Sequence, residues 1–86
     1  MRLERFEIPA VIELPGVSIE VQVTERKYMT GDADGYWTYT SCGGLIRIAA
    51  DLPIRRQRYI LLHELLHAIN DVMHVGLQEH HPVLKP

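Results

Sequence analysis

The chain has 86 residues, which is the length of one small domain and too short for a Rossmann enzyme or a TIM barrel. Apolar residues make up 47% of the chain and charged residues 23%, a globular composition that excludes disorder over most of the length. The formal net charge of −2 has the wrong sign for a protein that binds phosphate backbones, so we expect no nucleic-acid partner.

Cysteine content and hydropathy indicate the compartment. Cys42 is the sole cysteine, which excludes an internal disulfide and suits a reducing environment. The first residues lack the unbroken apolar run of a signal peptide, and the longest apolar run, 59–62, is far shorter than the roughly 20 residues of a membrane span. We therefore expect a cytoplasmic protein without a membrane partner.

Three segments in the first half have the composition of β-strands. Residues 17–24 alternate apolar and polar side chains, the period of two of a strand with one face in water. After a turn cluster at 31–35, residues 36–40 are rich in aromatic and β-branched side chains, and residues 45–52 contain a third apolar segment. These segments predict a small antiparallel three-stranded sheet.

One long helix is predicted to follow the sheet. Asp51 is its candidate N-cap, Pro53 is tolerated in the first turn, and Gly76 marks its expected end. Its apolar positions have helical spacing and are expected to pack on the sheet; they are Tyr59, Leu62, Leu65, Leu66, Ile69, Val72 and Met73. The predicted fold class is α+β, one domain over residues 1–86 in which the sheet packs on this helix and a short C-terminal segment follows.

The predicted helix contains the sequence His63-Glu64-Leu65-Leu66-His67, which matches the pattern HExxH. Residues four apart on a helix have Cβ atoms about 5–6 Å apart, so the His63 and His67 imidazoles can both bind one Zn²⁺. Glu64 is turned about 100° from His63, which suits a general base acting on water rather than a ligand. The alternative is a pair of surface histidines beside a solvated glutamate.

The motif and its context resemble the zincin metallopeptidases, in particular the gluzincin-like minimal zincins and the ImmA/IrrE-type family. Gly35-Tyr36, the segment 44–48 and the segment 58–69 follow one another in the chain. Together they are similar to the succession of a strand, a glycine, a second strand and the active-site helix in that family. The resemblance covers residues 35–79 and extends only weakly to the first 30.

This resemblance implies an activity and a set of site residues. His63 and His67 would be zinc ligands, Glu64 the general base, and a carboxylate after the helix the third ligand. The strand at 45–49 would be the sheet edge along which an extended peptide lies. The implied function is zinc-dependent hydrolysis of peptide bonds in an extended polypeptide, with a polypeptide substrate or a protein as partner.

The third zinc ligand has several candidates, because a catalytic zinc needs three protein ligands and an open position. A turn at Gly76 would return Glu79 alongside the helix, and Glu79 is the predicted ligand. His74, His80 and His81 remain alternatives, as does a solvated tail. Pro82 and the short tail depart from the fuller C-terminal helix of the family, which leaves the third ligand open.

The leading alternative function is non-enzymatic. In a binding or regulatory module the same zinc would be structural and would stabilise a core that is small for a free-standing domain. A zincin descendant that retains the metal without turnover belongs to the same class. A water ligand in the fourth position would indicate catalysis, whereas a fourth protein ligand would indicate a structural ion.

Overall fold

The structure is a computed structural model that describes residues 7–29, 31 and 33–80, with side chains to residue 74. A short strand β1 (Val11–Leu14) precedes β2 (Val17–Thr24), and a 3₁₀ turn (Arg26–Tyr28) leads to β3 (Gly35–Thr40). Strand β4 (Gly43–Ala49) and the helix α1 (Ile54–His80) complete the chain of elements. The α+β class is confirmed, with the sheet first and the helix after it.

The sheet has four strands in the order β1-β2-β4-β3. Strands β1 and β2 are antiparallel, as are β3 and β4, but β2 and β4 are parallel. The prediction of a three-stranded antiparallel sheet is therefore wrong in both strand number and direction. After β2 the chain forms β3 at the edge of the sheet. It then returns as β4, which lies between β2 and β3.

One face of the sheet packs on α1 and forms the core. The alternation in β2 and β4 points every second side chain at the helix. Ile19, Ile46, Ile48 and Leu61 are fully buried there, and Ala68, the residue after His67, belongs to the same cluster. The period-two pattern of residues 17–24 thus identified both the strand and its buried face.

The opposite face of the sheet carries polar side chains. Arg47 donates hydrogen bonds to the Gln22 side-chain oxygen and to the Tyr36 hydroxyl, each at 3.0 Å. The Gln22 amide nitrogen in turn donates to a Glu20 carboxylate oxygen at 2.6 Å. Tyr36 therefore lies on the face away from α1, which places its phenol far from the helix that bears the histidines.

The helix begins at Ile54, and the prediction that Asp51 caps it is wrong. The Gln57 amide N–H donates to the Pro53 carbonyl, and the Gln57 side chain donates to the carbonyls of Ala50 and Leu52. The Asp51 carboxylate instead accepts two hydrogen bonds from the Arg26 guanidinium, at 2.8 and 2.9 Å. A nearby cation outcompetes the helix N–H groups for this carboxylate.

Arg26 joins three parts of the chain at one end of the sheet. Besides Asp51 it contacts the Asp34 carboxylate at 3.0 Å, so it ties the start of β3 to the end of β4. Its hydrogen bonds to Asp51 and Asp34 raise the pKa of Arg26, and the hydrogen bond from Arg26 lowers the pKa of Asp51. These ion pairs hold the start of β3 against the end of β4.

The helix continues through Gly76 to His80, so the predicted end at Gly76 is wrong. A single glycine inside a helix costs only about 1 kcal/mol relative to alanine and does not end the helix by itself. Although α1 has 27 residues, no helix among the described residues is long and apolar enough to cross a membrane.

Three apolar side chains of α1 that were predicted to pack on the sheet lie in solvent instead. Tyr59 is 55% exposed, Leu66 is 69% exposed and Met73 is 62% exposed. They are spaced seven residues apart and therefore follow one line along the helix, on the side turned away from the core. The sheet is too narrow to cover more than one face of α1.

Gly35 is the point of closest approach between β3 and α1. A methyl group on its Cα would overlap Ile60 Cγ2, lie 2.9 Å from the Arg47 carbonyl oxygen and 3.8 Å from Glu64 Cγ. Its φ is not positive, so the requirement for glycine here is one of space and not of backbone conformation.

We expect Gly35→Ala to lower the free energy of unfolding by about 1–3 kcal/mol, the usual cost of overpacking a close contact. Urea denaturation followed by circular dichroism measures the change. The matched control is Gly76→Ala, the same substitution inside the helix, which should raise stability by up to about 1 kcal/mol. A neutral Gly35→Ala would contradict the close packing of β3 on α1.

Candidate metal centre

The two histidines of the motif lie one turn apart on the exposed side of α1. The Nε2 atoms of His63 and His67 are 3.2 Å apart, and their ring centroids are 4.8 Å apart with an interplanar angle of 78°. The Tyr59 ring stacks on His63 at 6.2 Å, one turn before it. The helix thus brings two imidazole nitrogens close together at its surface, as the four-residue spacing predicts.

This separation fits a zinc ion. Two zinc–nitrogen bonds of about 2.05 Å that end on atoms 3.2 Å apart enclose an angle of about 100°, close to the tetrahedral value. The same distance also suits an N–H···N hydrogen bond between neutral rings, because one ring can donate and the other accept. The separation of the two nitrogens is therefore compatible with a shared zinc ion.

Glu64 occupies a different side of the helix from the two imidazoles. Its side chain is half-buried and faces the first residue of β3, where its Cγ lies 3.8 Å from the position of a Cβ on Gly35. Gly35 has no side chain, so the Glu64 side chain has room beside the first residue of β3. The structure therefore separates Glu64 from the ligand pair while keeping it adjacent along the chain.

A second contact fixes β3 beside the motif. The Trp37 indole Nε1 donates a hydrogen bond of 2.7 Å to the Asp71 carboxylate, one turn beyond His67. Strand β3 thus approaches α1 at Ile60, through Gly35, and again at Asp71, and residues 63–67 lie between these two points. Trp37 and Asp71 are 34 residues apart in the sequence, so no local pattern predicts their contact.

The other candidate ligands lie further along the same helix. His74 is seven residues beyond His67 and Glu79 is twelve, which correspond to about 10 Å and about 18 Å along a helix axis. The Glu79 and His80 side chains, and His81 entirely, lie outside the described part. Within the described part, no group of three or more histidine, cysteine, aspartate or glutamate side chains could hold a metal ion.

The edge strand beside the motif is β3 and not β4. The resemblance placed the substrate edge at residues 45–49, but these belong to β4, which pairs with β2 on one side and β3 on the other. The Ala49 amide donates to the Asp34 carbonyl, so in the antiparallel ladder residues 36, 38 and 40 bond to β4. The backbone groups of Gly35, Trp37 and Tyr39 consequently point out from the edge.

Comparison of the chain with protein-family models, with curated proteins and with solved structures finds no match. Functional inference therefore depends on the chemistry of the residues and on their geometry.

Proposed function

We propose that this chain is a zinc-dependent metallopeptidase of the zincin type that hydrolyses an extended polypeptide. The observation that carries the proposal is the 3.2 Å separation of the His63 and His67 Nε2 atoms on an exposed helix face, with Glu64 in the intervening turn. The chain resembles zincins in this motif and in the order of the segments that precede it. Zn²⁺ is the proposed cofactor.

The residues of the motif divide the chemistry between them. When bound, zinc supplies a Lewis acid that polarises a carbonyl and activates water near neutral pH. His63 and His67 would hold the ion through their Nε2 atoms, which the helix brings to 3.2 Å from each other. Glu64 accepts a proton from the attacking water at a carboxylate oxygen and passes it to the nitrogen of the leaving amine.

The open edge of β3 supports an extended substrate. The outward N–H and C=O groups of Gly35, Trp37 and Tyr39 can form a further antiparallel or parallel ladder with a peptide strand. The Glu64 side chain lies close to Gly35 at the start of this edge, so a peptide added to it would run past the general base. We therefore transfer the substrate edge from residues 45–49, where the resemblance placed it, to 35–39.

Glu79 remains the proposed third ligand, and this assignment requires a change in the backbone of α1. With α1 continuous to His80, Glu79 lies about 18 Å past His67 along the axis, too far to reach the same ion. Intrachain ligation therefore requires the helix to end near Gly76 in the zinc-loaded protein. The loss of up to four backbone hydrogen bonds in that turn is offset by one metal–carboxylate bond.

A structural zinc is the second candidate. The observation that favours it is the exposure of both imidazoles, which leaves the other ligand positions open to groups from a partner or a second segment. Such a module would bind zinc without turnover and would use the ion to hold a partner or a second segment on α1.

Metal analysis and a cleavage assay test the proposal together. Protein purified without chelators should contain zinc, cleave an unfolded polypeptide such as carboxymethylated casein, lose this activity with a chelator and regain it with added zinc. Absence of zinc from the protein at micromolar free metal would overturn both candidates. Bound zinc without cleavage would overturn the peptidase and favour the structural module.

A further inference from the structure

The exposed side of α1 combines metal ligands with apolar surface. The His63 and His67 rings are flanked along the helix by Tyr59, Leu66 and Met73, each more than half exposed. Leu66 lies next to His67 in sequence, and the Tyr59 ring stacks on His63. Large exposed apolar side chains beside a pair of metal-binding residues indicate a surface that contacts another molecule.

The number of ligands that zinc requires bears on the identity of this partner. Zinc in closed sites has four protein ligands, and the histidine pair supplies two of them. The described residues of the same chain supply no third. A two-fold axis through the ion would bring together four imidazoles, two from each copy. It would also bring the apolar side chains beside them into the same contact from both copies, since each residue of a two-fold interface is present twice.

We propose that two copies of this chain share one zinc ion, bound by His63 and His67 of each copy, with the exposed side of α1 as their contact. This proposal rests on the zinc affinity of the pair, as the proposed function does, and concerns the regulation of that same site. Four protein ligands leave no position for water, so the shared-ion dimer is a closed, non-hydrolytic form. Hydrolysis belongs to the monomer with its own ion.

The geometry makes the dimer depend on the metal. Tetrahedral coordination sets the two histidine pairs at right angles, so two helices that carry such pairs cross steeply and touch over a short length. Leu66, beside the ligands, is at the centre of this contact. A contact of this size falls well below the 1,000 Å² or so of a stable interface, so the ion supplies most of the affinity.

Sedimentation velocity of the full chain during a titration with zinc chloride tests the proposal, with native mass spectrometry to count the ions. We expect a monomer in EDTA and a dimer with one zinc per two chains when zinc reaches half an equivalent. His67→Ala and His63→Ala should each remain monomeric. Excess zinc should dissociate the dimer into monomers with one ion each, because free ions compete for the half-sites.

Leu66→Glu tests the apolar contact between the copies without changing the zinc ligands. It should retain zinc at one ion per chain and weaken the dimer by about tenfold or more, because it places a carboxylate in the contact. The matched control is Tyr28→Glu, which adds the same charge at a site 61% exposed on the 3₁₀ turn, and should dimerise normally. Circular dichroism checks the fold of each variant.

The outcomes distinguish this proposal from the proposed function. A monomer with one zinc per chain throughout the titration overturns the shared ion and leaves the peptidase site intact. Absence of zinc binding overturns both. A dimer that persists in EDTA, or in His67→Ala, overturns the role of the metal, and an unaltered dimer in Leu66→Glu overturns the assigned contact.

Discussion

Glu64→Gln is expected to leave the zinc content of the protein unchanged and to lower peptide hydrolysis by about 10²–10⁴-fold, the usual contribution of a general base. Glutamine has the shape of glutamate but cannot accept a proton from water. The half-buried position of Glu64 against Gly35 favours this exchange, because the amide fits the same space. Zinc per chain and the initial rate of cleavage of unfolded casein measure the two effects.

The matched control for this variant is Glu20→Gln. It makes the same chemical change at an exposed carboxylate on the opposite face of the sheet, where Glu20 contacts Gln22. Its cleavage rate should equal that of the unaltered chain. Full activity in Glu64→Gln would exclude Glu64 as the base, and equal loss in both variants would attribute the effect to net charge.

His63→Ala and His67→Ala are each expected to weaken zinc binding by more than about a hundredfold, the upper range for loss of a partner outside the coordination shell. Both imidazoles are exposed, so neither substitution creates a cavity, and the fold should persist in the absence of metal. Competition with a chromophoric chelator measures the affinity. Retention of zinc in either variant would contradict the pair as ligands.

Two further variants decide the third ligand in the same assay. His74→Ala is the control, because His74 lies about 10 Å beyond His67 on the continuous helix and should not affect zinc binding. Glu79→Gln should weaken zinc binding if Glu79 ligates the ion within one chain, as the family resemblance implies. If the zinc affinity of Glu79→Gln is unchanged, Glu79 is not a ligand, and the remaining ligands come from another source, such as a second copy.

Sequence periodicity predicted the elements that have their signal within a few residues. The alternation over 17–24 coincides with β2, and the aromatic segment and the segment after Cys42 correspond to β3 and β4. Strand β1 was missed, because four residues ending at a Pro-Gly turn are too few to show a period. Parallel pairing of β2 with β4 was missed because strand order is a property of long-range contacts.

In the candidate site, too, the local features could be predicted from the sequence and the long-range ones could not. The four-residue spacing of His63 and His67 is local, and the helix places their nitrogens as that spacing requires. The assignment of the edge strand was wrong because it required knowledge of which strand lies outermost. The exposure of Tyr59, Leu66 and Met73 was missed because helical spacing identifies a stripe of apolar residues but not what covers it.

The hydrogen bond between Trp37 and Asp71 provides an internal optical probe. The chain contains one tryptophan, and its indole is bonded to the helix one turn beyond His67. Its emission therefore reports how firmly the outermost strand is held on the helix, without an attached label and without background from other indoles. Substitutions in the motif that lower zinc content but leave this fluorescence unchanged remove the metal without releasing the strand from the helix.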